Sequence, residues 1–437
     1  MNITKHSVIN FCSSIIIFIF NLAIGIMIAK TLGPEGRGVY FLVFMIAATS
    51  FSVVNSSLSS AAVYYIGTKK YSLSDIITNC TVLSLFLGVI GIGLVCVFFK
   101  FISIHFLKDV NPLHLKVALL FIPLSLLSTS FASIFMGMDD IPKYNLIMIV
   151  RAGLSAFFIT IVCFFSRDIL LFIMANLLAL GITCLFAAIL LSRYFKRRVY
   201  LNFRLIKDVL IFGWKGHFGQ TLFSIVNRLD SYLIKFFLGS AFLGFYSVSL
   251  AVEGLWSIST SMGIALFPKV SSSLLEDKNG QTMAVTRHGF FLTCLFCLMF
   301  FIFSRPFVKI LYGDVFLPAV APLCLLLPGV AFLSITKTLK PYLSGIGKPQ
   351  IATYSSMVTI LVCVFLNLLF IPRLGIKGAA LATTCSYLTY TAIILAAFLK
   401  ISGCRLVDTI FIKKRDFLMY SNFILKLCRV FQKAKTL

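Results

Sequence analysis

Twelve apolar runs, each near 20 residues or somewhat longer, succeed one another along the chain, and that pattern restricts it to a bundle of bilayer-spanning helices. They fall at about 8–30, 40–66, 76–99, 116–137, 144–166, 169–192, 210–238, 243–267, 289–312, 318–344, 350–371 and 376–399. A hydrocarbon core about 30 Å thick is crossed by roughly 20 apolar residues in a helix. The runs are continuously apolar and do not alternate with period two, so helices are expected and a barrel is not. Composition agrees: 59% of residues are hydrophobic and 12% charged, with mean hydropathy +1.01, against roughly 25% charged in soluble domains. The expected fold class is an all-α polytopic membrane protein with about 12 transmembrane helices.

The net charge of +25 comes from 39 Lys and Arg against 14 Asp and Glu. In a soluble protein this excess would point to nucleic acid. Here it marks basic residues at membrane faces, no DNA or RNA motif is present, and no nucleic-acid partner is expected. With the N-terminus inside, about 23 basic residues fall on that side, nine of them in the C-terminal tail, and about ten on the other. Both termini are therefore expected in the cytoplasm. The first run reads as a retained span and not a cleaved leader. Cys294 and Cys297 form C-x-x-C at membrane depth without a nearby His, which reads as core packing; neither a metal nor a cofactor is expected.

The loop from Arg193 to Asp208 is the most basic internal segment and divides the chain into similar halves. Leu32-Gly33…Gly38-Val39-Tyr40 aligns with Leu238-Gly239…Gly244-Phe245-Tyr246 at an offset of 206, where Asn21 also meets Asn227. Six spans per half give both halves the same orientation, related by a pseudo-two-fold axis along the membrane normal with a cavity between them. The expected organisation is an N-terminal six-helix bundle at 1–192, a basic cytoplasmic linker at 193–209, a C-terminal six-helix bundle at 210–400 and a basic cytoplasmic tail at 401–437. Gly33, Gly36 and Gly38 are expected to form a tight turn between two long helices.

The span from 210 to 238 carries Lys215, His217, Arg228, Asp230 and Lys235. A charge at the bilayer centre costs roughly 2.5–3.5 kcal/mol on insertion scales, so a helix bearing several is expected to face protein or a water-filled cavity. At about 100° per residue, His217, Ser224, Arg228 and Lys235 fall on one stripe, with Lys215 and Asp230 on another. Arg228 is the first candidate for lining the cavity. Lys215 and Lys235 either join it or snorkel to the interfaces. Arg151 lies two turns into the fifth span, and Lys337 and Lys340 share a face of the tenth beside an expected kink at Pro341. Asn21 in the first span and Asn55 in the second sit on polar faces that serve either helix packing or sugar hydroxyls. Asp230 and Glu253 are the acids within the spans, as counter-ions to Arg228 or Lys215 or as carriers of a coupling proton. Six basic residues against two acids suit an anionic substrate such as a pyrophosphate.

The pattern Asn21…Ala29-Lys30-Thr31-Leu32-Gly33-Pro34-Glu35-Gly36-Arg37-Gly38-Val39-Tyr40 resembles the start of Wzx-type O-antigen and polysaccharide repeat-unit flippases. So do Arg228-Leu229-Asp230 before Leu238-Gly239…Gly244-Phe245-Tyr246, Ser344-Gly345-Ile346-Gly347-Lys348-Pro349, and Leu374-Gly375-Ile376-Lys377-Gly378-Ala379-Ala380. The resemblance implies the multidrug/oligosaccharidyl-lipid/polysaccharide (MOP) export superfamily, whose members place two six-helix bundles in a MATE-like V. It implies translocation of an undecaprenyl-pyrophosphate-linked oligosaccharide between leaflets of the bacterial inner membrane by alternating access, with membrane lipids and other polysaccharide assembly proteins as neighbours. The competing readings are an ion-coupled drug or amphiphile exporter of the same superfamily and a membrane enzyme such as an O-antigen polymerase. The first span lacks the acidic residue usual in drug exporters, and the loops lack the acids, histidines or metal spacing that such an enzyme needs.

Overall fold

The computed structural model describes residues 3–55, 58–194, 201–256, 259–260, 263 and 278–413, without the side chains of 3–8, 11 and 212–217. The described residues form helices and no strand. Nine of these helices are long and apolar enough to cross a membrane. The outward faces are apolar too: Phe164 and Phe165 are 81% and 85% exposed. Such faces would be an aggregation hazard in water and are ordinary against lipid. The chain is a multi-pass membrane protein.

The first helix, α1 (Ile3–Val54), has 52 residues and would measure about 78 Å if straight, well over twice a bilayer core. It is folded at one residue: Gly33 has φ 68° and ψ −175°, a conformation open essentially to glycine alone. Pro34 then supplies the preset φ of a helix start. Arg37 reaches back to donate to the Gly25 carbonyl, so the two limbs lie side by side. The expected loop through Gly36 and Gly38 is thus a one-residue fold, with both glycines inside the second limb. Gly239 repeats the device with φ 91° and ψ −175°.

Helices α2 (Leu58–Gly67), α3 (Leu73–Val97), α4 (Phe99–Phe106), α5 (Pro112–Ala118), α6 (Phe121–Gly137), α7 (Ile141–Phe165) and α8 (Ile169–Ser192) complete the first half. The expected second span, 40–66, is interrupted: α1 ends at Val54 and α2 begins at Leu58. Asn55 stands at the break, in a polar stretch whose side chains compete with helical backbone bonding. Side-chain caps start α3 and α5: Ser72 accepts from the Asp75 N–H at 3.1 Å and Asn111 from the Leu113 N–H at 2.9 Å.

The second half holds α9 (Phe203–Leu238), α10 (Ser240–Ser249), a 3-10 segment (Leu250–Trp256), α11 (Lys278–Tyr312), α12 (Val320–Gly345), α13 (Gln350–Leu374), α14 (Ile376–Ser402) and the short α15 (Leu406–Ile410). The 36-residue α9 is not among the nine apolar helices, because its charges lower its hydropathy. Its helix starts at Phe203, inside the expected linker. The expected eighth span, 243–267, passes from α10 into the 3-10 segment, where a Cβ on Gly254 would stand 2.4 Å from the Phe18 ring. α12 runs on through Pro328 and Pro341.

The halves meet through the two glycine folds. A Cβ on Gly38 would stand 1.9 Å from the Ser240 carbonyl oxygen, and one on Gly244 1.8 Å from that of Pro34. Pro34 and Gly38 precede Ser240 and Gly244 by the same 206 residues, so the contact is reciprocal, as a two-fold relation requires. Arg37 secures it: Nε donates to Ser247 Oγ at 2.7 Å, and the guanidinium lies 5.5 Å from the Tyr312 ring centroid. At the opposite end, nearer the N-terminus, the start of α9 is clamped onto the first half. Asp208 Oδ2 accepts from Lys70 Nζ at 2.6 Å and from the Tyr71 hydroxyl at 2.7 Å, and Asn79 Oδ1 accepts from the Asn202 N–H at 2.9 Å. Lys70 and Tyr71 hold the Asp208 carboxyl below its ordinary range, and Asp208 in turn raises Lys70.

Candidate functional site

α9 runs along the boundary between the halves. On one flank it packs on the polar face of α1: the Tyr232 hydroxyl donates to Thr49 Oγ1 at 2.9 Å, and Thr221 Oγ1 donates to the Ser52 carbonyl at 3.3 Å. On the other flank Arg228 meets the 3-10 segment. Its NH1 lies 3.3 Å from Glu253 Oε2, with the Arg228 side chain 35% exposed and that of Glu253 6%. The Tyr387 hydroxyl donates to the other Glu253 oxygen at 2.8 Å. Glu253 is therefore the counter-ion of Arg228.

Asp230 is fully buried and held differently. It accepts from the Ser231 N–H at 2.5 Å, the Ser231 hydroxyl at 3.1 Å, the Tyr246 hydroxyl at 2.6 Å and Thr383 Oγ1 at 2.7 Å. Among the described residues no basic side chain bridges it. Four donors replace most of the hydration that a carboxylate loses on burial. Tyr246 matches Tyr40 in the repeat, whose hydroxyl accepts from Asn176 Nδ2 at 3.0 Å. Both halves thus anchor the tyrosine that follows the glycine fold on a polar partner.

Lys337 and Lys340 project half-buried from α12 toward α9. Lys337 Nζ lies 4.3 Å from the Trp256 ring centroid and 5.6 Å from that of Phe223. Lys340 Nζ donates to Gln220 Oε1 at 2.6 Å. The α12 backbone is held close here: a Cβ on Gly263 would stand 2.2 Å from the Lys337 carbonyl oxygen. Among the described residues no carboxylate bridges either lysine.

The other expected residues are dispersed. Arg151 is half-buried on α7, 5.9 Å from the Phe121 ring centroid, with no bridging carboxylate among the described residues. No described contact joins it to the cluster on α9 and α12. Lys235 lies at the end of α9 away from the N-terminus, where it donates to Ser240 Oγ at 2.7 Å and sits 3.6 Å from Asp109. It ties the glycine fold to the loop before α5. Asn21 is exposed on α1, and Asn55 presents a buried Oδ1 with no hydrogen-bond partner at the break after α1. Lys215 lies on α9, with its side chain outside the described residues. Cys294 and Cys297 are free thiols on α11.

Nothing in the sequence marks Trp256, Phe223, Thr383 or Tyr387, and Tyr246 stands out there only as a repeat and motif residue, not as a partner of Asp230. None is ionised at neutral pH, and each sits in a run where an aromatic or a threonine is ordinary. The one available signal was the repeat, which aligns Tyr246 with Tyr40.

Kinked helices, two reciprocal halves and cations at the boundary define a multi-pass helical membrane fold built on a repeat. Inward-facing MATE multidrug resistance transporter of the MOP superfamily superposes with TM-score 0.71 at 16% identity, covering 91% of this chain and 98% of that one. The lipid II flippase MurJ, in an inward closed conformation, also gives 0.71 at 17% identity, covering 91% and 90%. Residues 27–321 match the polysaccharide biosynthesis protein family, and the chain belongs to that family. A putative O-antigen transporter of Shigella flexneri is 22% identical over 402 residues, 87% of this chain and 94% of its own length. An uncharacterized membrane protein of Methanocaldococcus jannaschii is 26% identical over 202 residues, 45% of this chain. A probable low-salt glycan biosynthesis flippase of Haloferax volcanii is 23% identical over 189 residues, 40% of this chain. The chain spans 40% of the length of each of these last two relatives.

Proposed function

We propose that this protein is a flippase that moves a lipid-linked oligosaccharide across the bacterial inner membrane, from the cytoplasmic to the periplasmic leaflet. The substrate head group is a sugar repeat unit on undecaprenyl pyrophosphate. Both termini lie in the cytoplasm, and the cycle is alternating access between the halves. The lipid tail stays in the bilayer while the head group passes along α9 and α12. The protein makes and breaks no covalent bond.

The observation that carries this reading is the pair Lys337 and Lys340, two half-buried ammoniums on one helix face that no carboxylate among the described residues bridges. Keeping such charges in a membrane protein is costly and marks a substrate path. Their i, i+3 spacing sets them about 5–6 Å apart at Cβ, within reach of one diphosphate. Arg228 contributes less charge than its depth in α9 suggested, because Glu253 neutralises it. Glu253 is assigned as a counter-ion, and Asp230, with its hydroxyl cage and no bridging basic side chain among the described residues, as the residue that would carry a coupling proton. The family match and the Shigella relative support this reading over an enzyme of polysaccharide assembly.

The test is a Lys337→Met/Lys340→Met double variant in cells dependent on the protein. The expected result is accumulation of lipid-linked repeat units on the cytoplasmic face at normal membrane levels of the protein. Unchanged surface polysaccharide at normal levels would refute the assignment.

A further inference from the structure

Lys337 and Lys340 are held by different chemistry. Lys340 rests on a neutral amide oxygen, that of Gln220. Lys337 rests on aromatic faces, with Trp256 nearest. Those rings are themselves fixed: the Trp256 centroid lies 6.1 Å from that of Tyr387, and Phe223 lies 4.5 Å from Tyr390, and both tyrosines are buried. A ring face attracts an ammonium through its quadrupole, more weakly than a phosphate oxygen does through full charge and a hydrogen bond. An amide oxygen is likewise the weaker acceptor.

We propose that Trp256, with Phe223, is a placeholder for the anion: it holds Lys337 in position, and a pyrophosphate head group binds by drawing Lys337 off the Trp256 ring toward Lys340. Gln220 is the positioning residue for Lys340, its oxygen giving way to a phosphoryl oxygen. This rests on the flippase reading and adds residues that set the affinity. Because ring and anion compete for the same ammonium, binding is weakened in proportion to the ring's hold. A carrier that must release its cargo on the far side is served by that moderation. Two ammoniums one helical turn apart also favour a diphosphate over a single phosphate.

The experiment uses the full-length protein in lipid nanodiscs. The chain has two tryptophans, so Trp214→Phe leaves Trp256 as the sole indole; Trp214→Tyr replaces it if size-exclusion shows misfolding. Inorganic pyrophosphate is titrated against inorganic phosphate and sulfate at matched ionic strength. A saturable change in Trp256 fluorescence is expected, half-complete at a concentration at least about tenfold lower for pyrophosphate, and abolished by Lys337→Met. By calorimetry, Trp256→Leu is expected to tighten pyrophosphate binding about fivefold, the scale of a released cation–π contact. The proposal is overturned if pyrophosphate binds without a fluorescence change, if Lys337→Met gives the same change, if all three anions act alike, or if Trp256→Leu weakens binding. None of those outcomes touches the flippase reading, which stands or falls on transport by the double lysine variant.

Discussion

At the scale of single residues, charge in the spans separates into neutralised and available groups. Removing one partner of a buried ion pair costs about 3–5 kcal/mol; here the Arg228 side chain is 35% exposed, so Arg228→Ala is expected to cost roughly 2–3 kcal/mol. The double variant Arg228→Ala/Glu253→Gln is expected to be more stable than Arg228→Ala, because it leaves no unpaired carboxylate. Thermal unfolding of the three proteins in one detergent reads this directly, and equal losses in both would show that the pair is uncoupled. The helical wheel placed Arg228 on one stripe with His217, Ser224 and Lys235, and in the fold its guanidinium meets Glu253. The wheel could not show that Glu253 would meet Arg228, since the two are 25 residues apart and joined through a kink and a 3-10 segment. Trp256 was illegible for a different reason: an aromatic in an apolar run carries no mark of what lies against its face.

Single elements carry the predictions about shape. The Gly33 fold cannot be made by a residue with a Cβ without strain of about 1–3 kcal/mol, so Gly33→Ala is expected to lower yield and melting temperature although nothing crowds the site. Gly38→Val and Gly244→Val act otherwise. Each drives a side chain into a backbone carbonyl that cannot step aside, and each is expected to spread the halves at that end. The readout is faster labelling of a Ser247→Cys variant by a membrane-impermeant thiol reagent; unchanged labelling would show that the glycine contact does not hold the halves together at that end. The start of α9 is tied to the first half through Asp208. The sign of its pH dependence follows from the lowered carboxyl: the clamp is fully formed above the ordinary carboxylate range of about 3.9 and is lost only as pH falls below it through the depressed value. Asp208→Asn removes that dependence, and limited proteolysis within 201–207 is expected to become faster at neutral pH. The all-helical class and the rough placement of most spans were legible from apolar run length; of the twelve expected, nine helices among the described residues are long and apolar enough to cross. The breaks at Asn55 and after Ser249 were not, because hydropathy averages over the few residues that interrupt a helix.

For the molecule as a whole, the repeat was the most informative sequence feature, and the reciprocal contact of Gly38 with Ser240 and Gly244 with Pro34 gives it physical form. Two copies expressed as separate chains, 1–194 and 201–437, are expected to reassemble into a complex that co-purifies, since the boundary between them is built from matched surfaces and the clamp at Asp208. Failure of the pieces to associate would mean that the covalent connection is required. A self-matching contact is also what two identical polypeptides make when they pair about a two-fold axis. In such a homodimer every substitution is made twice and the two faces stay equal. Joined in tandem, each copy is free to mutate alone. Arg37 has Leu243 at the matching position, and the lysines of α12 stand in one copy only. Tandem repetition is thus what permits an asymmetric charge between two otherwise matching halves.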